Sequence, residues 1–176
     1  MKQRLLHFPL RTVMLLAVLL LISTSVFSQQ KKRIEIEEAD YLEADEKIAA
    51  NAQRLVGNVR VRHENVLMWC DSAYTYTGTN RVDAFGNVHI NQGDTLNLFA
   101  QKVYYNGDIS KARAYQNVRL VNKNTTLYTD TLDYDMAANI GFYEYNGKIV
   151  DSTNTLTSEI ARYFIDDDII HFYNSV

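Results

Sequence analysis

Scarcity sets the first limits. The 176 residues hold one cysteine, Cys70, and one proline, Pro9. A single thiol excludes an internal disulfide, so an exported form of this chain must fold on packing alone. Beyond residue 9 there is no proline, while 12 Tyr and 7 Phe are present, a composition opposite to that of a disordered linker. Long apolar runs are missing too: the most apolar stretch, Val13 to Phe27, falls short of the ~20 residues that span a bilayer.

That stretch follows Lys2, Arg4 and Arg11 and ends in "STSVFSQQ". A basic start, a short apolar centre and small residues at a cut site describe a secretory signal peptide, read here as residues 1–28 with cleavage after Ser28. No cysteine stands near that cut to take a lipid, which excludes a lipoprotein. Cleavage leaves 15 basic against 21 acidic residues, a net charge of about −6, so nucleic acid is excluded as a partner. Residues 29–176 then form one domain, with no linker after "QQKKR".

What is abundant is repetition. "AFGNVHINQGDTLNLFAQKVYY" returns as "AYQNVRLVNKNTTLYTDTLDY", and the anchors Val59, Val88, Val118 and Ile149 lie 29, 30 and 31 residues apart. A second anchor recurs at Met68, Leu98, Leu127 and Leu156, and a third at Ala73, Val103, Leu132 and Ala161. One such unit cannot bury its own apolar face, so about four units, the last incomplete, must stack and share an interior.

Within each unit apolar residues alternate, as in Leu96, Leu98 and Ala100 and again in Val103 and Tyr105, which predicts strands with one buried face. The second and third anchors are five apart, an odd spacing that reverses the parity of a strand. A bulge or corner is therefore expected near Asp71, Gln101, Asp130 and Glu159, between several short strands per unit. The segment "EEADYLEADEKIAANAQRL" runs into "VGNV" and is read as a divergent first unit built of strands. Tyr105, Tyr134 and Tyr163 recur every 29 residues and predict a ladder packing one wall. The fold expected from these patterns is all-β, an antiparallel, solenoid-like stack of ~30-residue repeats.

"RLVGNVRVRHENVLMWCDSAYTY" followed by "AFGNVHINQGDTL" resembles the OstA-like branch of the LptA family of lipopolysaccharide-transport proteins, from about Ile34 onward. The resemblance implies a β-jellyroll open at both ends, located in the periplasm, that binds lipopolysaccharide or a related glycolipid and helps bridge the inner and outer membranes. It implies partnership with other jellyrolls of the pathway, or with itself, by edge-strand pairing. It also assigns the inward positions Val59, Val61, Met68, Cys70, Val88, Ile90, Leu98, Ala100, Val103, Val118, Leu120, Leu127, Leu132 and Ile149 to a lipid groove. Members of the branch are commonly longer, and Asp151 in "GKIVDSTNTL" stands where an inward apolar residue is expected.

Residues for chemistry are sparse. There is no nucleophile elbow, phosphate-cradling glycine loop or helical zinc pair, so no enzyme activity and no cofactor are expected. His63, His89 and His171 occupy different places in their units, which argues against a metal site. Asp130, Asp133 and Asp135 lack the glycine and terminal glutamate of a calcium loop. The competing reading is a structural one: a filled interior, with exposed sheet edges recruiting other envelope proteins.

Overall fold

The alternation is realised as long strands that bend in the middle. The computed structural model describes residues 33–44, 51–76 and 78–173, so the signal-peptide reading of residues 1–28 lies outside the described residues. The first strands are short: β1 (Glu35–Glu38) and β2 (Tyr41–Ala44). Six long strands follow: β3 (Ala52–His63), β4 (Val66–Tyr76), β5 (Arg81–Gln92), β6 (Leu96–Asn106), β7 (Lys111–Asn122) and β8 (Thr125–Asp135). The chain then breaks into β9 (Ile140–Tyr143), β10 (Gly147–Val150), β11 (Thr155–Ser158), β12 (Ile160–Phe164) and β13 (Ile169–Tyr173).

Every pairing is antiparallel and, from β3 to β8, each strand pairs with its successor. The sheet folds along a corner line that crosses every long strand. One half of each strand forms a first wall together with β1, β10 and β11, and the other half forms a second wall with β2, β9, β12 and β13. Inward residues of both walls belong to one hydrophobic core.

The parity break lies at that corner, but its construction differs from the sequence expectation. Val56 pairs Ser72 and Val59 pairs Cys70, so Gly57 and Asn58 on β3 stand opposite the single residue Asp71. Gly86 and Asn87 face Gln101 in the same way, and Gln116 and Asn117 face Asp130. The extra residue is thus carried by the "GN" or "QN" pair, whose φ values are all positive, from 45° to 76°. Glycine and asparagine tolerate that left-handed region better than other residues, which is why the motif begins each odd strand's second half. Asp71 completes the corner by accepting a hydrogen bond of 2.9 Å from Asn87 Nδ2, and Asp40 does the same for Asn58. Because the bulge is absorbed within a ladder, β4, β6 and β8 run through it; the expectation of several short strands per unit is corrected to two long bent ones. Of the four positions expected from the sequence, only Glu159 separates two strands, β11 and β12.

Two further expectations are corrected in the last unit. Leu156 pairs Ile149 but is 38% exposed, because β11 is the final strand of the first wall among the described residues and nothing crosses beyond it. Asp151 does not occupy an inward position. It sits in the β10–β11 turn, where its carboxylate accepts the backbone N–H groups of Thr153 and Asn154, each at 2.7 Å. Those bonds hold its pKa down to about 2.

Candidate functional site

The corner delivers the inward stripe intact. All fourteen residues that the sequence places inside, from Val59 to Ile149, are buried with 0–6% of their surface exposed. Across the strands they form rows, for instance Val61, Met68, Ile90, Leu98, Leu120, Leu127 and Ile149 in successive registered pairs. Two of the fourteen, Val103 and Leu132, lie on the second wall, where they join Leu55, Ala73, Val82, Ala84, Ala112, Ala114 and Ala161, equally buried, opposite the first-wall rows. The interior is a packed apolar slab. Its ends are less covered: Ile36 and Leu42, on β1 and β2, are 40% and 55% exposed, matching Leu156 at the other end.

Cys70 lies on the stripe, and burial pushes its thiol up to about 11. A thiol so placed is almost wholly protonated at neutral pH and a poor nucleophile. We therefore expect iodoacetamide to label Cys70 slowly in the folded protein and rapidly after denaturation, so that labelling rate reports transient separation of the walls. Equal rates in both states would contradict its placement.

Opposite the corner, the free hairpin ends of the two walls meet along a seam. Here the structure adds Gln92 and Asn122, which the sequence reading did not single out, and gives His63, weighed there only as a metal ligand, another role. His63, Gln92 and Asn122 end β3, β5 and β7. His63 Nδ1 shares a 2.5 Å hydrogen bond with Tyr105 Oη. Tyr134 Oη donates to Gln92 Oε1 at 2.7 Å, while Gln92 Nε2 donates to the Met136 carbonyl and to Asn139 Oδ1. Asn122 Nδ2 donates to Tyr163 Oη at 3.1 Å and to the Ile165 carbonyl, and Tyr163 Oη donates to Asp168 Oδ1. The 29-residue tyrosine ladder is thus a clasp. Each ring packs in the interior and each hydroxyl reaches a polar partner on the opposite lip, 41 or 42 residues away in sequence.

Burial raises all three phenols, Tyr105 and Tyr163 to about 12, with the Asp168 carboxylate adding to the effect at Tyr163. An unfolded tyrosine ionises near about 10. Folded values above unfolded ones mean that the phenols' contribution is complete below pH ~10 and is lost as pH rises towards ~12. Tyrosinate absorbance and loss of β-sheet circular dichroism are therefore expected to rise together in that window. Exposed tyrosines such as Tyr41 and Tyr145 ionise near pH ~10 in any case, so the three are read by difference from a variant carrying Tyr105→Phe, Tyr134→Phe and Tyr163→Phe. A difference signal at pH ~10 with the sheet intact would show the rings to be solvated.

On the outer face the first wall carries a cross-strand stack: the rings of Trp69 and His89 are 5.0 Å apart, those of His89 and Phe99 4.4 Å, and the Arg119 guanidinium lies 4.1 Å from the Phe99 ring centroid. Among the described residues no group of three or more His, Cys, Asp or Glu side chains is arranged to hold a metal ion.

The family model described as OstA-like protein matches residues 31–176. No curated protein matches the chain. Among solved structures, the chain is similar to the crystal structure of LptH, described as the LptA-homologous periplasmic component of the conserved lipopolysaccharide transport device of Pseudomonas aeruginosa. The TM-score is 0.56 and the identity 16%, over 65% of this chain and 83% of that one. At that identity the likeness speaks for the fold: an LptA-like jellyroll, as the bent antiparallel sheet and its two walls already indicate. With a family match spanning all the described residues, this chain belongs to the OstA-like proteins.

Proposed function

We propose that this protein is an exported, non-enzymatic module that shelters the acyl chains of lipopolysaccharide or a related glycolipid between its two walls. It works in series with like jellyrolls on a route between the inner and outer membranes. The observation that carries this reading is the apolar stripe from Val59 to Ile149, continuous across the strands and leading to apolar ends at Ile36, Leu42 and Leu156. Water excludes acyl chains from solution at about 0.8 kcal/mol per CH₂, so a dry apolar slab is a suitable host. The outer strands β1, β2, β11 and β13 each pair on one side only among the described residues, leaving edges suited to strand addition.

The stripe is packed, so acyl chains are admitted when the walls part. The corner is continuous backbone and acts as the hinge. The seam is held by side-chain hydrogen bonds, each worth about 0.5–1.5 kcal/mol net, and is the side that opens. A photo-crosslinking residue at Val88 or Leu98 is expected to label lipopolysaccharide in cells; several such positions without lipid label would overturn the reading.

One observation favours the second reading, a scaffold with a permanently filled interior: the stripe residues are only 0–6% exposed. Because the closed interior is packed in both readings, Ala100→Trp overpacks and destabilises either by about 1–3 kcal/mol. Native mass spectrometry of the purified chain separates them, since a lipid host takes up glycolipid offered in micelles and a filled scaffold takes up none.

A further inference from the structure

Where the last unit divides, the walls leave a cleft. β8 gives Thr126–Tyr128 to β10 and Asp133–Asp135 to β9, and the residues between serve neither strand. The chain returns through Asn146, whose N–H donates to the Glu159 carbonyl at 3.1 Å. The cleft is open to solvent and has a volume of about 840 Å³, the size of a small-molecule site.

Its outer wall is a registered row across three strands, Arg119, Tyr128 and Lys148. Tyr128 is 44% exposed, and neither cation has a carboxylate partner among the described residues. Two strand spacings put the cationic residues' backbones about 9.5 Å apart with the aromatic ring between them. The remaining lining includes the amides of Asn117 and Asn146 and the carboxylates of Asp130 and Glu159. At the back the cleft meets Gly147 and Ser158, and there Tyr143 closes it from the interior. Its hydroxyl is 2.7 Å from Ser158 Oγ, and its ring fills the place of a side chain at 147, where a Cβ would meet it at 2.1 Å.

The geometry points to a binding site for an anionic saccharide. A sugar's C–H face lies on Tyr128, its hydroxyls exchange hydrogen bonds with the amides and carboxylates, and a phosphate or carboxylate substituent is drawn to Lys148, the Arg119 guanidinium being already stacked on Phe99. The mixture of acids and cations disfavours a bare anion, for which Asp130 and Glu159 are repulsive. The site stands on its own residues. Combined with the reading above, it seats the sugar head of a glycolipid one aromatic ring away from the interior that takes the tail.

The test is amide NMR of the isotope-labelled chain lacking residues 1–28, titrated separately with glucose 1-phosphate, glucuronate, glucose and inorganic phosphate. The two anionic sugars are expected to shift Asn146, Gly147 and Lys148 and to bind at least about tenfold more tightly than glucose or phosphate. Tyr128→Ala and the surface change Lys148→Gln should each weaken them by a similar factor, while Arg113→Gln on the second wall leaves binding unchanged. No shift at these residues, equal binding of inorganic phosphate, or unaltered binding by Lys148→Gln would overturn the assignment. Interior photo-crosslinks to lipid would survive that failure, and their own absence would leave saccharide binding intact, so the two proposals fail separately.

Discussion

Gly86→Val is expected to destabilise the protein by about 3 kcal/mol or more, lowering the melting temperature by roughly 6–12 °C for a domain of this size. Two effects combine. Gly86 has φ of +74°, a region in which a β-branched residue is strained by about 1–2 kcal/mol or more. A Cβ there would also lie 2.3 Å from Asp71 Oδ2, so the carboxylate must move and its hydrogen bond from Asn87 is lost.

Companion variants separate the two. Gly93 has φ of +62° with nothing within 4 Å of a Cβ, so Gly93→Ala carries only the backbone part, about 1 kcal/mol. Gly86→Ala should lose more than that, and combining it with Asp71→Ala should recover the steric share but not the backbone share. The measurement is equilibrium unfolding in urea. Equal losses at positions 86 and 93 would show that the Asp71 contact does not constrain the corner. Gly57 repeats the arrangement against Asp40, with a Cβ distance of 2.2 Å, and should rank beside Gly86.

These corners also show what was legible in the sequence and what was not. The period, the alternation and the odd spacing of five fixed an all-β stack, its inward residues and the existence of a re-aimed backbone, because each is a local consequence of strand geometry. Which strand carries the extra residue depended on backbone φ at Gly57, Asn58, Gly86 and Asn87, which alternation and spacing do not report. Leu156 kept its place in the pattern but lost its cover, since burial depends on a neighbour across the sheet and no local pattern reports one. The clasp was half visible. The tyrosines were read as a ladder, whereas His63, Gln92 and Asn122 repeat at almost the same period but differ in chemistry, and each meets its tyrosine more than one unit away. A search for polar residues recurring in phase with the tyrosines would have found them.

Tying the seam shut is expected to abolish lipid loading without harming the fold. Gln92 and Asn139 face one another across the lips, with Gln92 Nε2 3.1 Å from Asn139 Oδ1. Cysteines at both positions, in a Cys70→Val background that removes the buried thiol, can be joined by a short bis-maleimide. The bridge replaces non-covalent bonds that come apart at about 1 kcal/mol each with one that does not, and it constrains the unfolded chain. Stability should therefore rise relative to the unbridged cysteine variant, which lacks the Gln92 and Asn139 hydrogen bonds and is strained at position 139, where φ is 51°. Lipid exchanged from micelles and detected by native mass spectrometry should fall to background in the bridged protein and return when both cysteines are present without the reagent. Bridging two positions on the same lip, Gln92 and Asn122, serves as the control and should leave loading unchanged. If the cross-seam bridge loads lipid normally, acyl chains reach the interior from the ends at Ile36 or Leu156 instead, and the clasp only holds the walls together.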